Sequence, residues 1–252
     1  MKTERFYEIL DEYAPFSLSD ELCKKESLYD NSGIIADCGN DFSSVCVCLD
    51  LTNDAVEAAK RECCGLILTH HPAIYKPVKE VDGALMNAIK SGIGVVSAHL
   101  NLDCAPKGVD YFFAKGLGCK NEEVLTPLTG GGYGRAFYSD ESFKKFVKNA
   151  ESEFSTKVCF YGDENARVGV VASFCGEGLD EETAASVEAD TYCSADVKHH
   201  VIKYLLEKGK KVVSFTHFAS ENYGMRKIAG ELEKVFSPAD IKIYFFDDCR
   251  FK

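Results

Sequence analysis

Three short apolar runs constrain this chain most: Leu66-Ile67-Leu68-Thr69, Val95-Val96-Ser97-Ala98 and Val212-Val213-Ser214-Phe215. They are rich in β-branched residues and show no polar alternation. That is the pattern of a strand covered on both faces. Helical stretches separate them, which predicts crossover connections and a largely parallel sheet. Each run leads into a histidine, His70, His99 or His217. In an open α/β sheet the carboxyl ends of the strands line the crevice where ligands bind.

In the first half, Val45 to Leu51 reads as a strand, followed by a helix capped by Asn53 or Asp54 and running to about Cys63. Leu66 to Thr69 is the next strand, Ala84 to Lys90 a helix stopped by Gly92, Gly94 to Ala98 a third strand, and Val109 to Lys115 a helix. The stretch from Glu122 to Ala136 is rich in glycine and turn residues and reads as the boundary between halves. The second half repeats the theme. Helices are expected at Ser142 to Phe154, Asp196 to Glu207 and about Glu221 to Val235. Strands are expected at Lys157 to Tyr161, Arg167 to Phe174, Lys211 to Phe215 and Ile241 to Phe246. The expected architecture is α/β, with two similar halves at 1–125 and 126–252, mixed and largely parallel sheets, and a metal cleft between them to which the C-terminal segment returns.

A net charge of -11 over 252 residues argues against a nucleic-acid surface, since phosphate neutralisation needs a basic face. It does not exclude a small anion, because bound cations reverse the local field. No apolar stretch reaches membrane-spanning length, and the first ten residues lack a signal peptide's apolar core. A cytoplasmic protein without a membrane partner is therefore expected. Twelve cysteines are present, but Cys46-Val47-Cys48 and Cys63-Cys64 lack zinc-ribbon spacing. Reduced thiols used as small apolar residues are the better reading.

Two histidines have a carboxylate four residues on, in His99-Leu-Asn-Leu-Asp103 and His217-Phe-Ala-Ser-Glu221, and His70 is followed by His71. Imidazoles and carboxylates gathered at one rim suit divalent ions. A lone strand-end histidine is more often a hydrogen-bonded rim residue. With Ser220 capping the following helix, Glu221 equally reads as a first-turn carboxylate favouring the helix dipole. The pair His199-His200 sits at a predicted helix start, which sets its side chains about 100° apart around the helix axis. The Gly130-Gly131-Gly132 turn lacks the Lys-Ser/Thr of a phosphate loop and reads as a linker.

The blocks Leu-Thr-His-His-Pro, Ser-Ala-His-Leu-Asn-Leu-Asp and Thr-His-Phe-Ala-Ser-Glu resemble, in that order, the signature blocks of the Nif-three-like family. That family is often labelled GTP cyclohydrolase I type 2. Ser-Ala-Asp-Val-Lys-His-His and Gly-Gly-Gly-Tyr-Gly-Arg135 resemble two further blocks, so agreement spans roughly Ser44 to Val235. The chain departs from the family at Thr216, where glycine is usual, and at Ser194-Ala195-Asp196, where Thr-Gly-Asp is usual.

The resemblance implies that His70, His71, Asp103, His217 and Glu221 hold two divalent ions, with Asp103 and Glu221 bridging. It implies His99 beside them as a proton shuttle or as a group supporting the ligands. Imidazole and carboxylate donors suit zinc, manganese, iron or nickel. The resemblance further implies a homohexamer and metal-dependent hydrolysis of a small anionic substrate such as GTP. A non-catalytic metal-binding or regulatory scaffold is the alternative.

Overall fold

In a computed structural model that describes residues 1–251, the strands in chain order are β1 (Gly33–Ala36), β2 (Ser44–Cys48), β3 (Leu66–Thr69), β4 (Gly94–Ser97), β5 (Glu123–Leu128), β6 (Gly131–Ser142), β7 (Cys159–Tyr161), β8 (Arg167–Ser173), β9 (Thr191–Ala195), β10 (Lys211–Phe215) and β11 (Lys242–Phe245). The helices are α1 (Thr3–Tyr13), α2 (Ser17–Glu26), α3 (Asn53–Arg61), α4 (Gly83–Lys90), α5 (Leu100–Cys104), α6 (Val109–Gly116), α7 (Phe143–Glu153), α8 (Glu181–Ser186), α9 (His199–Glu207) and α10 (His217–Phe236). They form two compact units that interleave along the chain. The first comprises residues 1–108, 128–130 and 225–251, and the second 109–127 and 131–224. Position 125/126, where the halves were expected to part, falls inside β5.

The first unit carries a five-stranded sheet in the order β1-β4-β3-β2-β11. β4, β3, β2 and β11 are parallel, and β1 pairs antiparallel to β4 at one edge. Every residue of β2, β3 and β4 is buried, as their unbroken apolar sequence requires. α3 and α4 make the crossovers from β2 to β3 and from β3 to β4. The hydroxyl of Thr52, one residue before the expected caps, accepts the Ala55 N–H at 3.1 Å and starts α3. Cys46, Cys48 and Cys64 lie in the apolar core with Val56, Ile67 and Val95, so these thiols serve as small core residues.

The second unit carries a six-stranded mixed sheet in the order β5-β6-β8-β9-β10-β7, with β8, β9 and β10 parallel. β8 pairs antiparallel with β6, and β10 with β7. Phe113 of α6 meets Phe154 and Phe215 edge-on, with centroids 5.4 and 5.2 Å away, and braces the end of β10.

Three expectations are corrected. The glycine-rich stretch from 131 to 136 is not an irregular linker but the first half of β6, while Gly130 lies in the turn before it. Its glycines answer to packing: a Cβ on Gly134 would stand 2.5 Å from the Phe174 ring, and φ there is +72°. Helix α10 begins at His217 rather than near Glu221. Thr216, not Ser220, provides the cap, its hydroxyl accepting the Ala219 N–H at 3.2 Å. Glu221 therefore lies one turn inside the helix, where its i, i+4 relation faces it toward His217 rather than toward the helix N-terminus. At α9 the expected start at Asp196 also shifts, because Asp196 adopts φ +50° and the helix opens at His199.

Candidate metal centre

In the first unit the site grows from the carboxyl ends of β3 and β4. His70 follows β3 directly and is fully buried. Its Nδ1–H donates to the Ala98 carbonyl at 3.0 Å. Its Nε2 stands 3.4 Å from Asp103 Oδ1. The turn that brings Asp103 back is α5, a single helical turn entered from His99, and Asp103 is 4% exposed. Two donors about 2.1 Å from one ion stand roughly 3.0–3.4 Å apart in octahedral or tetrahedral geometry. The His70–Asp103 spacing is longer than an ordinary hydrogen bond and fits a shared ion.

His71 and His99 complete this group. The rings of His70, His71 and His99 lie with centroids 5.1–5.7 Å apart, and one ring nitrogen of each lies within 4.8 Å of the others. His71 Nδ1 is 2.7 Å from Asp50 Oδ1, and His99 Nδ1 is 2.9 Å from Asp30 Oδ1. A carboxylate only accepts, so each proton sits on Nδ1 and coordination falls to Nε2. Burial opposes the charge of Asp30, but hydrogen bonds from His99, Ser19 and Ser32 outweigh it and bring its pKa down to about 2.

In the second unit His217 and Glu221 form the counterpart. His217 Nε2 is 3.1 Å from Glu221 Oε2, and its Nδ1–H donates to Asp196 Oδ2 at 2.8 Å. Glu221 is 3% exposed. It is crowded by Gly176, where an added Cβ would stand 2.4 Å from Oε1. The loop carrying Gly176 is pinned by Asp110, which accepts the Cys175 N–H at 3.1 Å and lies 3.3 Å from Arg135. Burial pushes the Asp110 carboxyl up to about 6 against the pull of Arg135 and of the Cys175 and Gly134 N–H groups. Arg135, noticed in the sequence beside the glycine-rich stretch, is thus a buried strut.

The structure therefore pairs His70 with Asp103 and His217 with Glu221, and gathers His71 and His99 around His70. It leaves His199 and His200 exposed at the start of α9, with His200 paired to Glu181. An open depression lined by Asn40, Phe42, Lys60, Cys63 and Gly92 lies at the amino ends of β2, β3 and β4, and no histidine lines it.

Sequence reasoning missed the Nδ1 anchors Asp50, Asp196 and Asp30. Two of them had a signal. Asp50 precedes His71 by 21 residues, and Asp196 precedes His217 by the same 21.

Residues 1–249 match the sequence model of the Duf34/NIF3 (NGG1p interacting factor 3) family. The chain belongs to this family. A relative from Methanocaldococcus jannaschii, named as a GTP cyclohydrolase 1 type 2 homolog, is 27% identical, and the match covers 98% of this chain and all of that one. The crystal structure of a Staphylococcus aureus hypothetical protein superposes with a TM-score of 0.87 at 23% identity, covering 100% of this chain and 99% of that one. A Bacillus cereus protein related to NIF3 does so at 0.85 and 17% identity, covering 98% and 97%. These two likenesses confirm the mixed α/β fold.

Proposed function

We propose that this Duf34/NIF3 chain holds two divalent ions through His70, His71, Asp103, His217 and Glu221 and uses them to hydrolyse a small anionic substrate. One observation carries the reading. In each unit a histidine Nε2 and a carboxylate oxygen stand at ligand spacing, while the same ring's Nδ1 is tied to an acceptor. That is how metal-binding histidines are oriented. Ions at such donors lower the pKa of water into the neutral range and offset negative charge on the substrate. The buried donors would fix the ions, and His99 would move a proton between water and the leaving group.

His70, Asp103 and Glu221 are buried, which taken alone favours a structural ion and the scaffold reading. The side chains of His71 and His217 are 27% and 37% exposed, which gives water and substrate a way to the donors and favours the enzyme. The substrate proposed is a nucleotide. GTP is the first to test, because the M. jannaschii relative is named for a GTP cyclohydrolase. The assembly proposed is a cytoplasmic homohexamer, and light scattering that reports a monomer at micromolar concentration removes it.

Among the described residues no helix is long and apolar enough to cross a membrane. The deciding experiment is metal analysis of purified protein, followed by a nucleotide and phosphoester screen with zinc, manganese, iron or nickel restored. Two ions per chain with turnover supports the hydrolase. Two ions with no turnover of any substrate supports the scaffold.

A further inference from the structure

Asp30 is a buried carboxylate to which neither the ligand set nor the fold assigns a task. It lies in the loop after α2, and its side chain is 2% exposed, while its loop neighbours Leu28 and Tyr29 are 50% and 55% exposed. Three donors converge on it: His99 Nδ1–H on Oδ1 at 2.9 Å, and the hydroxyls of Ser19 and Ser32 on Oδ2, each at 2.6 Å. The Ser32 hydroxyl also accepts the His99 backbone N–H at 2.9 Å, so one loop fixes both the ring and the backbone of His99. The carboxylates anchoring His71 and His217 are 38% and 52% exposed by comparison. An ion pair's attraction strengthens as water is excluded, so Asp30 constrains its histidine hardest.

We propose that Asp30 is the positioning residue for proton transfer by His99, holding the ring as the Nδ1–H tautomer so that Nε2 is the atom that takes and returns the proton. This rests on the hydrolase reading of the site. The proton reaching Nε2 comes from water and passes on to the leaving group. Asp30 stays ionised throughout and offsets the transient imidazolium charge, as the carboxylate of a Ser-His-Asp triad does.

The chain has only six histidines, so single-residue assignment is tractable in [15N]histidine-labelled, zinc-loaded protein by solid-state NMR. Wild type should show His99 protonated on Nδ1 with a metal-free Nε2. In Asp30→Asn the oxygen keeps the serine donors and the amide NH2 faces Nδ1, so His99 should turn over to Nε2–H with zinc content unchanged. Ser32→Ala keeps the carboxylate and should keep the Nδ1–H form, an outcome that separates charge from mere loop packing.

An Nδ1–H signal that survives in Asp30→Asn overturns the positioning role. A zinc-bound Nε2 shift for His99, or zinc lost from Asp30→Asn, makes His99 a ligand and also overturns it. If Asp30→Asn does not fold, the wild-type spectrum decides, and an Nε2–H form there is fatal. Failure of the hydrolase reading is seen separately, as absence of turnover by fully metallated wild type.

Discussion

Gly176 offers a test of whether Glu221 holds an ion, because the residue is confined from several sides. It sits at φ +56°, and a Cβ there would stand 2.4 Å from Glu221 Oε1. Its backbone has no room to retreat: its N–H donates to Ser220 Oγ at 3.2 Å, and its carbonyl accepts from the Ser194 hydroxyl and the Ala195 N–H, each at 2.9 Å. Gly176→Ala therefore has two costs, a left-handed backbone for a residue with a side chain and a displaced buried carboxylate. Gly209 isolates the first. Its φ is +72° and a Cβ there would meet nothing within 4 Å.

The left-handed conformation costs about 1–2 kcal/mol per non-glycine residue. In a chain of this length 1 kcal/mol moves Tm by roughly 2–4 °C. Metal-free Gly209→Ala should thus lose about 2–8 °C, and metal-free Gly176→Ala, which adds the clash with Glu221, should lose more. Only Gly176→Ala should also lose metal affinity, by roughly 10–100-fold, the usual effect of disturbing a ligand's immediate support. A tenfold loss removes about 1.4 kcal/mol of ligand-induced stabilisation at saturating zinc. The assay is thermal unfolding with and without zinc, together with a chelator competition. Equal zinc affinity for wild type, Gly176→Ala and Gly209→Ala would show that Glu221 is not a ligand.

Three further outcomes are expected. His99→Ala should keep its metal while turnover falls by roughly 10²–10⁴-fold, checked by metal analysis beside steady-state kinetics. Asp50→Ala and Asp196→Ala should each weaken metal binding by roughly 10–100-fold through loss of the Nδ1 anchor, and unchanged affinity in both would remove the anchors from the account. Asp30 has a folded-state pKa of about 2 against an ordinary 3.8. A lowered folded-state pKa adds stability that is present above the unfolded value and lost as pH falls toward the folded one. The difference corresponds to about 2 kcal/mol. Denaturant unfolding should therefore show an advantage of about 2 kcal/mol for wild type over Asp30→Asn at pH 5, shrinking below about 1 kcal/mol at pH 2.5. A constant difference would mean that the carboxylate charge is not what stabilises the loop.

The strands that carry the site were legible because burial on both faces leaves an unbroken apolar run, and β3 begins and ends where that run does. Three features governed by something other than such a run were not. β1 is a half-buried edge strand of four residues, too short to show a period. β6 was hidden by glycines that serve packing rather than a turn, Gly134 against Phe174 and Gly132 against Val124. The start of α10 was misplaced because two hydroxyl residues could cap it. The threonine at 216, one of the family departures, takes the role, while Ser220 Oγ instead accepts the Gly176 N–H.

The residues that orient the donors divide according to topology. In a parallel pair, the end of one strand and the end of the next are separated by a crossover helix, so residues side by side in space recur at one βαβ length. Asp50 and His71 follow β2 and β3, and Asp196 and His217 follow β9 and β10, which gives both pairs their 21-residue spacing. The same aspartate-to-histidine interval, occurring twice between apolar runs, was available as a signal. Asp30 and His99 had none. They meet 69 residues apart, flanking the antiparallel pair β1 and β4, where the intervening length includes the whole of β2 and β3 with their helices and obeys no repeat. The anchor with the deepest burial is therefore the one that only three-dimensional structure could supply, since what selects it is a loop folding inward and not a period along the chain.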